Sequence, residues 1–367
     1  MSVNPNFDRV RKALLLQGEP DRVPMLETSI DRDIKKAVLG RPVSTPEDEV
    51  EFWMRAGFDH VPVGIGMRLM VRTASNKAEA AIRIDHAEKV TRTARAQYSL
   101  LGDEMRERAW AEEGTGIIAG RAEFESIKWP SQEAVDYAAI EDLGRILPPG
   151  AKVVASIGYI FATVTRLMGF QNFCEKLIEE PDLVARVFDK VGQFQLAVFE
   201  KVVAMDAVGA TVHHDDVAYA SGPMVSPVQL RKYLWPWYKE MCRISREKGK
   251  PIVYHSDGNV NRVLDDIVET GFNALNPLEP KVMDIVQVKR DYGDKLALVG
   301  NIDLVYTLTR GTPEEVDAEV RQRIRELAPG GGYVVASANS ITEYVPVANF
   351  NAMREAVFKY GKYPIQV

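Results

Sequence analysis

"PIVYHSDG" (residues 251–258) runs three apolar or aromatic residues, Ile252 to Tyr254, into His255, with Asp257 two positions on and Gly258 to turn the chain. Such a run, too short for a helix and bounded by Pro and Gly, reads as a buried strand. Seven further runs resemble it: "VPMLE" (23–27), "HVPVGIG" (60–66), "KVVASIG" (152–158), "GATVHHDD" (209–216), "ALNPLE" (274–279), "LALVGNID" (296–303) and "YVVASAN" (333–339). Longer helical patterns separate most of them, which implies βα units and a parallel sheet. Eight such units predict an α/β fold, a single (β/α)8 TIM barrel spanning residues 1–367. An open doubly wound sheet is the alternative. No G-x-G-x-x-G follows the first strand to support it.

The composition agrees with a globular chain. Of 367 residues, 46% are hydrophobic and 27% charged. A formal charge of −6 argues against nucleic acid or an anionic membrane as the main partner. Cys174 and Cys242 are far apart and form no C-x-x-C, so a reducing, cytoplasmic setting is expected. The N-terminal stretch has only "ALLL" as an apolar run, too short for a signal peptide or a span.

Two helices carry clear start signals. Ser226-Pro227 with Gln229 predicts one helix running to about Lys248, and Thr312-Pro313 with Glu315 predicts another that stops before Pro329. Residues 1–22 read as an N-terminal helical extension. The Gly-rich stretch 107–130 reads as a hairpin inserted between the second and third strands.

A barrel places its chemistry at the C-terminal ends of its strands. Those ends carry Glu27, Tyr159, His213 to Asp216, His255, Asp257, Glu279, Asn301, Asp303 and Asn339. So many acids in one mouth disfavour joint ionisation, and a divalent cation removes most of that cost. Residues two apart on a strand face the same way, so His255 and Asp257 can point together. The proposed ligands are His255, Asp257 and Glu279, with Asp216 or Asn339 completing the shell. One nitrogen with two or three oxygens suits zinc, with manganese or iron as alternatives. Adjacent His213 and His214 face opposite sides, so at most one lines the mouth, and the other is expected to be a hydrogen-bonded interface residue. Asp303, in "GNID", is expected to cap the helix that follows. Tyr159, Phe161, Tyr219, Trp235 and Trp237 lie near the same loops, and flat side chains suit a flat, weakly polar substrate.

The motifs "PDRVPM" (20–25), "HHDDVAYASGPMVSP" (213–227), "PIVYHSDGN" (251–259), "VGNID" (299–303) and "GGYVVASANSIT" (331–342) occur in an order that resembles the uroporphyrinogen decarboxylase superfamily. The resemblance covers almost the whole chain and implies a (β/α)8 barrel. The decarboxylases of that superfamily have an Arg-rich loop after the first strand and a His in the last loop. Here those segments are "TSIDRDIKKAVLGRP" and "SANSIT", which lack both. The cobalamin-dependent methyltransferase branch is the better likeness. Its thiol-methylating members carry His-x-Cys at the end of the fifth strand and a further Cys in the last loop. The matching positions here are Asp257 and Asn339.

An oxygen-rich site is a harder Lewis acid than a thiolate-rich one. The resemblance therefore implies an O-demethylase: a methyl group moves from a methoxylated aromatic to the Co(I) corrinoid of a partner protein, with zinc in the barrel. His255, Asp257 and Glu279 would hold the metal. Asp216 or His214 would orient the phenol or relay a proton. Tyr159, Phe161 and Trp235, with Glu27 and Tyr219, would bind substrate. The expected partners are a corrinoid protein that supplies the cobalamin and a small aromatic methyl donor, with no nucleic acid and no membrane. A homodimer is expected by analogy with related barrels. The alternatives are corrinoid methyl transfer from another donor, such as a methylamine or betaine, transfer to a thiol acceptor, a tetrapyrrole decarboxylase, or a non-catalytic corrinoid-binding barrel.

Overall fold

The computed structural model describes residues 4–65 and 116–367, together with the backbone of two short strands, Arg92–Ala94 and Arg108–Trp110. Its main element is a parallel sheet of seven strands: β1 (His60–Ile65), β2 (Lys152–Ile157), β3 (Val208–His214), β4 (Ile252–His255), β5 (Ala274–Asn276), β6 (Ala297–Ile302) and β7 (Tyr333–Ser337). Neighbours in the chain are neighbours in the sheet throughout. The alternation of apolar runs and helical patterns thus led to the correct class, α/β with a parallel sheet.

The expected first strand, 23–27, contributes a bridge rather than a strand. Leu26 donates to the Val335 carbonyl and Val335 to the Pro24 carbonyl, which makes Met25 and Val335 a parallel pair. Pro24 has no N–H to extend the ladder. On the other side, the His60 ring at the start of β1 meets the Glu27 carbonyl at 3.0 Å. The sheet therefore curls until one short segment touches both of its edges.

The two faces of the sheet have separate cores. Val154, Ala210, Val212, Val253, Ala297, Val299, Val334 and Ala336 face inward, at alternate positions along their strands. They pack on the apolar stripe of α1 (Phe7–Leu14), formed by Phe7, Val10, Ala13 and Leu14. This helix fills the inner face at the N-terminal ends of the strands. Arg9 ties it down through Asp21 at 2.9 Å and Asp59 at 2.5 Å, and Arg22 also reaches Asp59 at 3.3 Å. The outer residues, among them Val153, Tyr254 and Tyr333, are covered by the surrounding helices. The parity that puts Val212 and Val253 inside also puts His214 and His255 inside, at the opposite end from α1.

The capping box at Thr312 is present, with Glu315 N to Thr312 Oγ1 at 3.3 Å and Thr312 N to Glu315 Oε2 at 2.7 Å, and its helix runs Pro313–Leu327. The helix expected from Pro227 to about Lys248 is instead two, Pro227–Tyr233 and Trp235–Glu247, broken at Leu234. Pro236 causes the break, because it cannot donate to the preceding turn and its ring crowds it.

The insertion also differs from a simple hairpin over 107–130. Arg92–Ala94 and Arg108–Trp110 pair antiparallel, but Arg121–Ser126 is a short helix, and residues 111–115 lie outside the described residues. Among the described residues, no helix is long and apolar enough to cross a membrane.

Candidate metal and substrate site

A cavity of about 200 Å3 opens at the C-terminal ends of the strands. Glu27, Tyr159, His214, Asp216, His255, Asp257, Asn276, Ser337 and Asn339 are among its lining residues. Register explains part of this. His214 of β3 pairs with His255 of β4, and His255 pairs with Asn276 of β5. All three side chains stand in one row across the mouth.

One ligand atom from each of Asp216, His255 and Asp257 lies within 4.8 Å of the others. His255 Nε2 is 3.6 Å from Asp257 Oδ1. The other ring nitrogen, Nδ1, meets Asn276 Oδ1 at 2.5 Å, and Asn276 Nδ2 donates to the Val299 carbonyl at 3.0 Å. That second bond fixes the Asn276 amide with its oxygen toward the ring. Nδ1 must then carry the proton, which leaves the Nε2 lone pair aimed at the two carboxylates.

Asp257 is oriented as firmly. Its amide donates to Asp216 Oδ1 at 2.8 Å, and its Oδ2 accepts from Asn339 Nδ2 at 2.8 Å. Its Oδ1 is buried with no hydrogen-bond partner. Burial pushes the Asp257 carboxyl up to about 6; the charges of Asp216 and Glu279 add to this, while His255 and the Asn339 amide oppose it.

A buried, unpartnered carboxylate oxygen beside a histidine lone pair is the environment a divalent cation satisfies. The residues fit a metal with one nitrogen and two oxygen donors. Asn276→Ala is expected to weaken divalent-metal affinity about 10–100-fold by freeing the His255 ring. Competition with a chromophoric chelator measures this, and unchanged affinity removes Asn276 from the site.

Two further expected ligands, Glu279 and Asn339, are engaged in hydrogen bonds of their own. β5 ends at Asn276, three residues short of the sequence expectation, so Asn276 and not Glu279 stands level with His255. Glu279 Oε1 accepts the Gly258 amide at 2.6 Å and lies outside the three-ligand group. Asn339 uses both ends of its amide, donating to Asp257 and accepting from Ser340 N at 2.6 Å. It holds the Asp257 carboxylate in place.

His214 lines the cavity, while His213 packs in the outer core against Phe199 and Tyr238. The alternation argument is met, but His213 is not hydrogen-bonded: neither ring nitrogen has a partner. Burial holds it neutral, down to about 3. His214 Nε2 lies 3.2 Å from Ser156 Oγ, and burial, reinforced by His255 and His213, keeps this ring neutral as well.

Tyr159 stands beside His214 with ring centroids 6.3 Å apart, so it is a cavity wall as expected. Phe161 and Trp235 are not. Both are core residues: Phe161 packs on Phe173, and Trp235 on Tyr238 and Tyr254. Tyr219 lies on an exposed two-residue strand against Phe170, outside the cavity lining. Asp303 accepts from Val305 N at 2.8 Å and Tyr306 N at 3.3 Å, a local cap as its sequence context implies.

Glu27 is buried in the cavity wall. Its Oε1 accepts Ser337 N at 2.6 Å, and its Oε2 is 2.9 Å from Ser337 Oγ. Burial pushes its carboxyl up to about 8, against the two contacts from Ser337. Asp215 stands among the strand-end residues of the sequence, but its role is seen only in the fold. Its fully buried carboxylate accepts the amides of Ile160, Phe161 and Ala162 at 3.0, 2.8 and 2.9 Å and the Tyr238 hydroxyl at 2.8 Å. It anchors the loop that presents Tyr159. The available signal was its position between His214 and Asp216, which both line the cavity and leave Asp215 facing outward; that does not reveal its partners.

The pattern of the uroporphyrinogen decarboxylase (URO-D) family matches residues 117–360, well over half of the chain. The methylcobamide:CoM methyltransferase MtaA of Methanosarcina barkeri is 26% identical over 222 residues, 60% of this chain and 62% of that protein. The uroporphyrinogen decarboxylase of Mannheimia succiniciproducens is 24% identical over 201 residues, 53% of each chain. The chain thus spans about 50–60% of the length of these curated relatives. A solved methyltransferase from Methanosarcina mazei superposes with a TM-score of 0.68 at 18% identity, covering 97% of this chain and 99% of that one, which bears on the fold. The motif order, the parallel sheet and this match agree: the chain belongs to the uroporphyrinogen decarboxylase (URO-D) family.

Proposed function

We propose that this protein transfers a methyl group from a methoxylated aromatic to the corrinoid of a partner protein. The observation that carries the reading is the Asp216, His255 and Asp257 cluster: a histidine with two carboxylates and no cysteine, in the mouth of a fold shared with a solved methyltransferase. The relatives named as methylcobamide:CoM methyltransferases support a corrinoid partner. The fold underlying the reading is a closed (β/α)8 barrel, with 23–27 as the eighth stave between β7 and β1.

His255, Asp257 and Asp216 would hold zinc. When bound, zinc supplies a Lewis acid for the ether oxygen, and the reduced corrinoid supplies the nucleophile for the methyl carbon. The protein's own residues do the rest. Asn276 and Asn339 hold the His255 ring and the Asp257 carboxylate in place, so no reorganisation is needed when substrate binds. His214, held neutral, offers an uncharged hydrogen-bonding ring beside the oxygen end of the substrate. Tyr159 provides a flat wall for the aromatic ring.

Cavity size and charge support a small donor over a tetrapyrrole. A volume of about 200 Å3 is below that of pockets that take drug-sized ligands, roughly 300–1,000 Å3. No Lys or Arg is among the described lining residues to pair with several carboxylates.

Incubation with reduced corrinoid protein and a methoxyphenol is expected to convert the cobalt spectrum to the methylated form, with release of the catechol. A thiol acceptor is the second reading, favoured by the coenzyme M named in the relatives. Methyl-corrinoid plus a thiol is therefore the control: thioether formation without demethylation of any aromatic ether would replace the first reading with the second.

A further inference from the structure

The Ser337 hydroxyl has one hydrogen and two oxygen neighbours. It contacts the Asn339 carbonyl, and it lies 2.9 Å from Glu27 Oε2. A carbonyl oxygen can only accept, so the hydroxyl hydrogen goes to Asn339. An ionised Glu27 would then set two lone pairs against each other across 2.9 Å. A protonated Glu27 resolves the contact by donating from Oε2 to Ser337 Oγ. The remaining oxygen, Oε1, accepts the Ser337 amide, so every polar atom of the pair is satisfied.

The surroundings agree. Glu27 is 4% exposed, and no cation faces it among the described residues. The titratable groups near it are His60, whose ring meets the Glu27 carbonyl from β1, and His214, Asp216, His255 and Asp257, which share the cavity. His60 on β1 and His214 on β3 are both held neutral by burial. The segment cannot swing out, because Leu26 N is bonded to Val335 O and Val335 N to Pro24 O.

Resting on the functional reading above, we infer that Glu27 is a neutral carboxylic acid in the resting site and the proton donor to the oxygen that loses its methyl group. The carbon–oxygen bond breaks with its electron pair on oxygen, and the carbon is taken by the nucleophile that the reduced corrinoid supplies. The oxygen, an aryloxide, takes the proton from Glu27. The carboxylate that remains is reprotonated from solvent after product leaves. Glu27 lines the same cavity as the Asp216, His255 and Asp257 cluster: a metal held by the cluster would supply a Lewis acid for the ether oxygen, and Glu27 neutralises that oxygen as it departs.

The test has two arms. Infrared spectroscopy of the wild-type protein at pH 7, compared with Glu27→Gln, should show one protonated-carboxyl carbonyl band that shifts in D2O and is missing in the variant. Glutamine reproduces the hydrogen-bond pattern of the neutral acid, so metal content and melting temperature should not change. Methyl transfer from an aryl ether should fall about 100-fold or more in Glu27→Gln. The wild-type rate should decline as pH rises through about 8, where Glu27 gives up its proton, and the variant should lack that limb. An ionised Glu27 at pH 7, or a variant with wild-type turnover and the same alkaline limb, overturns the inference. A wild type that demethylates no aryl ether overturns the functional reading instead, and the infrared band still decides the state of the acid.

Discussion

His255→Ala is expected to remove stoichiometric zinc from the purified protein and to abolish methyl transfer. The imidazole contributes the cluster's only nitrogen, and its Nε2 lone pair is aimed by the Asn276 contact on the other side of the ring. Losing a residue that merely orients a ligand costs about 10–100-fold in affinity, so losing the ligand itself should cost at least about 100-fold. Elemental analysis of wild type and variant, after dialysis against a weak chelator, measures the difference. Asp257→Asn is the companion variant, because it keeps the contact with Asn339 in shape while removing the charge. A wild type that takes up no metal after supplementation, or an alanine variant that keeps its full complement, would falsify this ligand set. Folding should be affected little, since His255 sits at the cavity wall and not in either apolar core.

Asp215→Ala is expected to have the opposite profile, with a large loss of stability. The carboxylate accepts four hydrogen bonds in a fully buried position, three from the turn that opens the helix Phe161–Met168 and one from Tyr238. Each donor left unpaired costs about 1–3 kcal/mol, so the sum is at least about 4 kcal/mol. For a domain of this size that corresponds to a fall of roughly 5 °C or more in the melting midpoint. Asp215→Asn, which retains one acceptor oxygen, should lie between wild type and alanine. Scanning calorimetry decides it: an alanine variant melting within about 2 °C of wild type would mean that solvent reaches these donors. The functional consequence follows from the same bonds, because the loop they anchor carries Tyr159 to the cavity wall.

Two adjacent acids that look alike in the chain take different places in the fold. Asp215 and Asp216 are neighbours, yet one is spent on three amides and a hydroxyl while the other lines the cavity and accepts the Asp257 amide. Burial raises the Asp215 carboxyl to about 6, opposed chiefly by the amides of Ala162 and Phe161. Strand alternation separates their directions. It says nothing about which direction leads to backbone donors and which to a ligand.

Much of the site was readable in order along the chain because strand geometry is local. A period of two placed His214 on the inner face and His213 on the outer one, and it paired His255 with Asp257. Apolar runs ending in polar residues located the mouth, and the order of motifs located the family. Those inferences need only backbone geometry and sequence spacing, which the chain carries in itself.

What needed the folded molecule were contacts between distant segments. β5 ends at Asn276, so the residue level with His255 is an asparagine whose amide aims the ring, and Glu279 is left to hold Gly258. Asn339 reaches 82 positions back to hold Asp257. Phe161 and Trp235 are near the mouth in sequence but turn into the outer core, since a large apolar ring gains more there than at a polar wall. Spacing along the chain thus located seven of the strands and the faces of His213 and His214. Tertiary structure alone decided which of the strand-end side chains converge and which are spent on backbone groups, because hydrogen-bond partners are chosen by distance in space and not by distance along the chain.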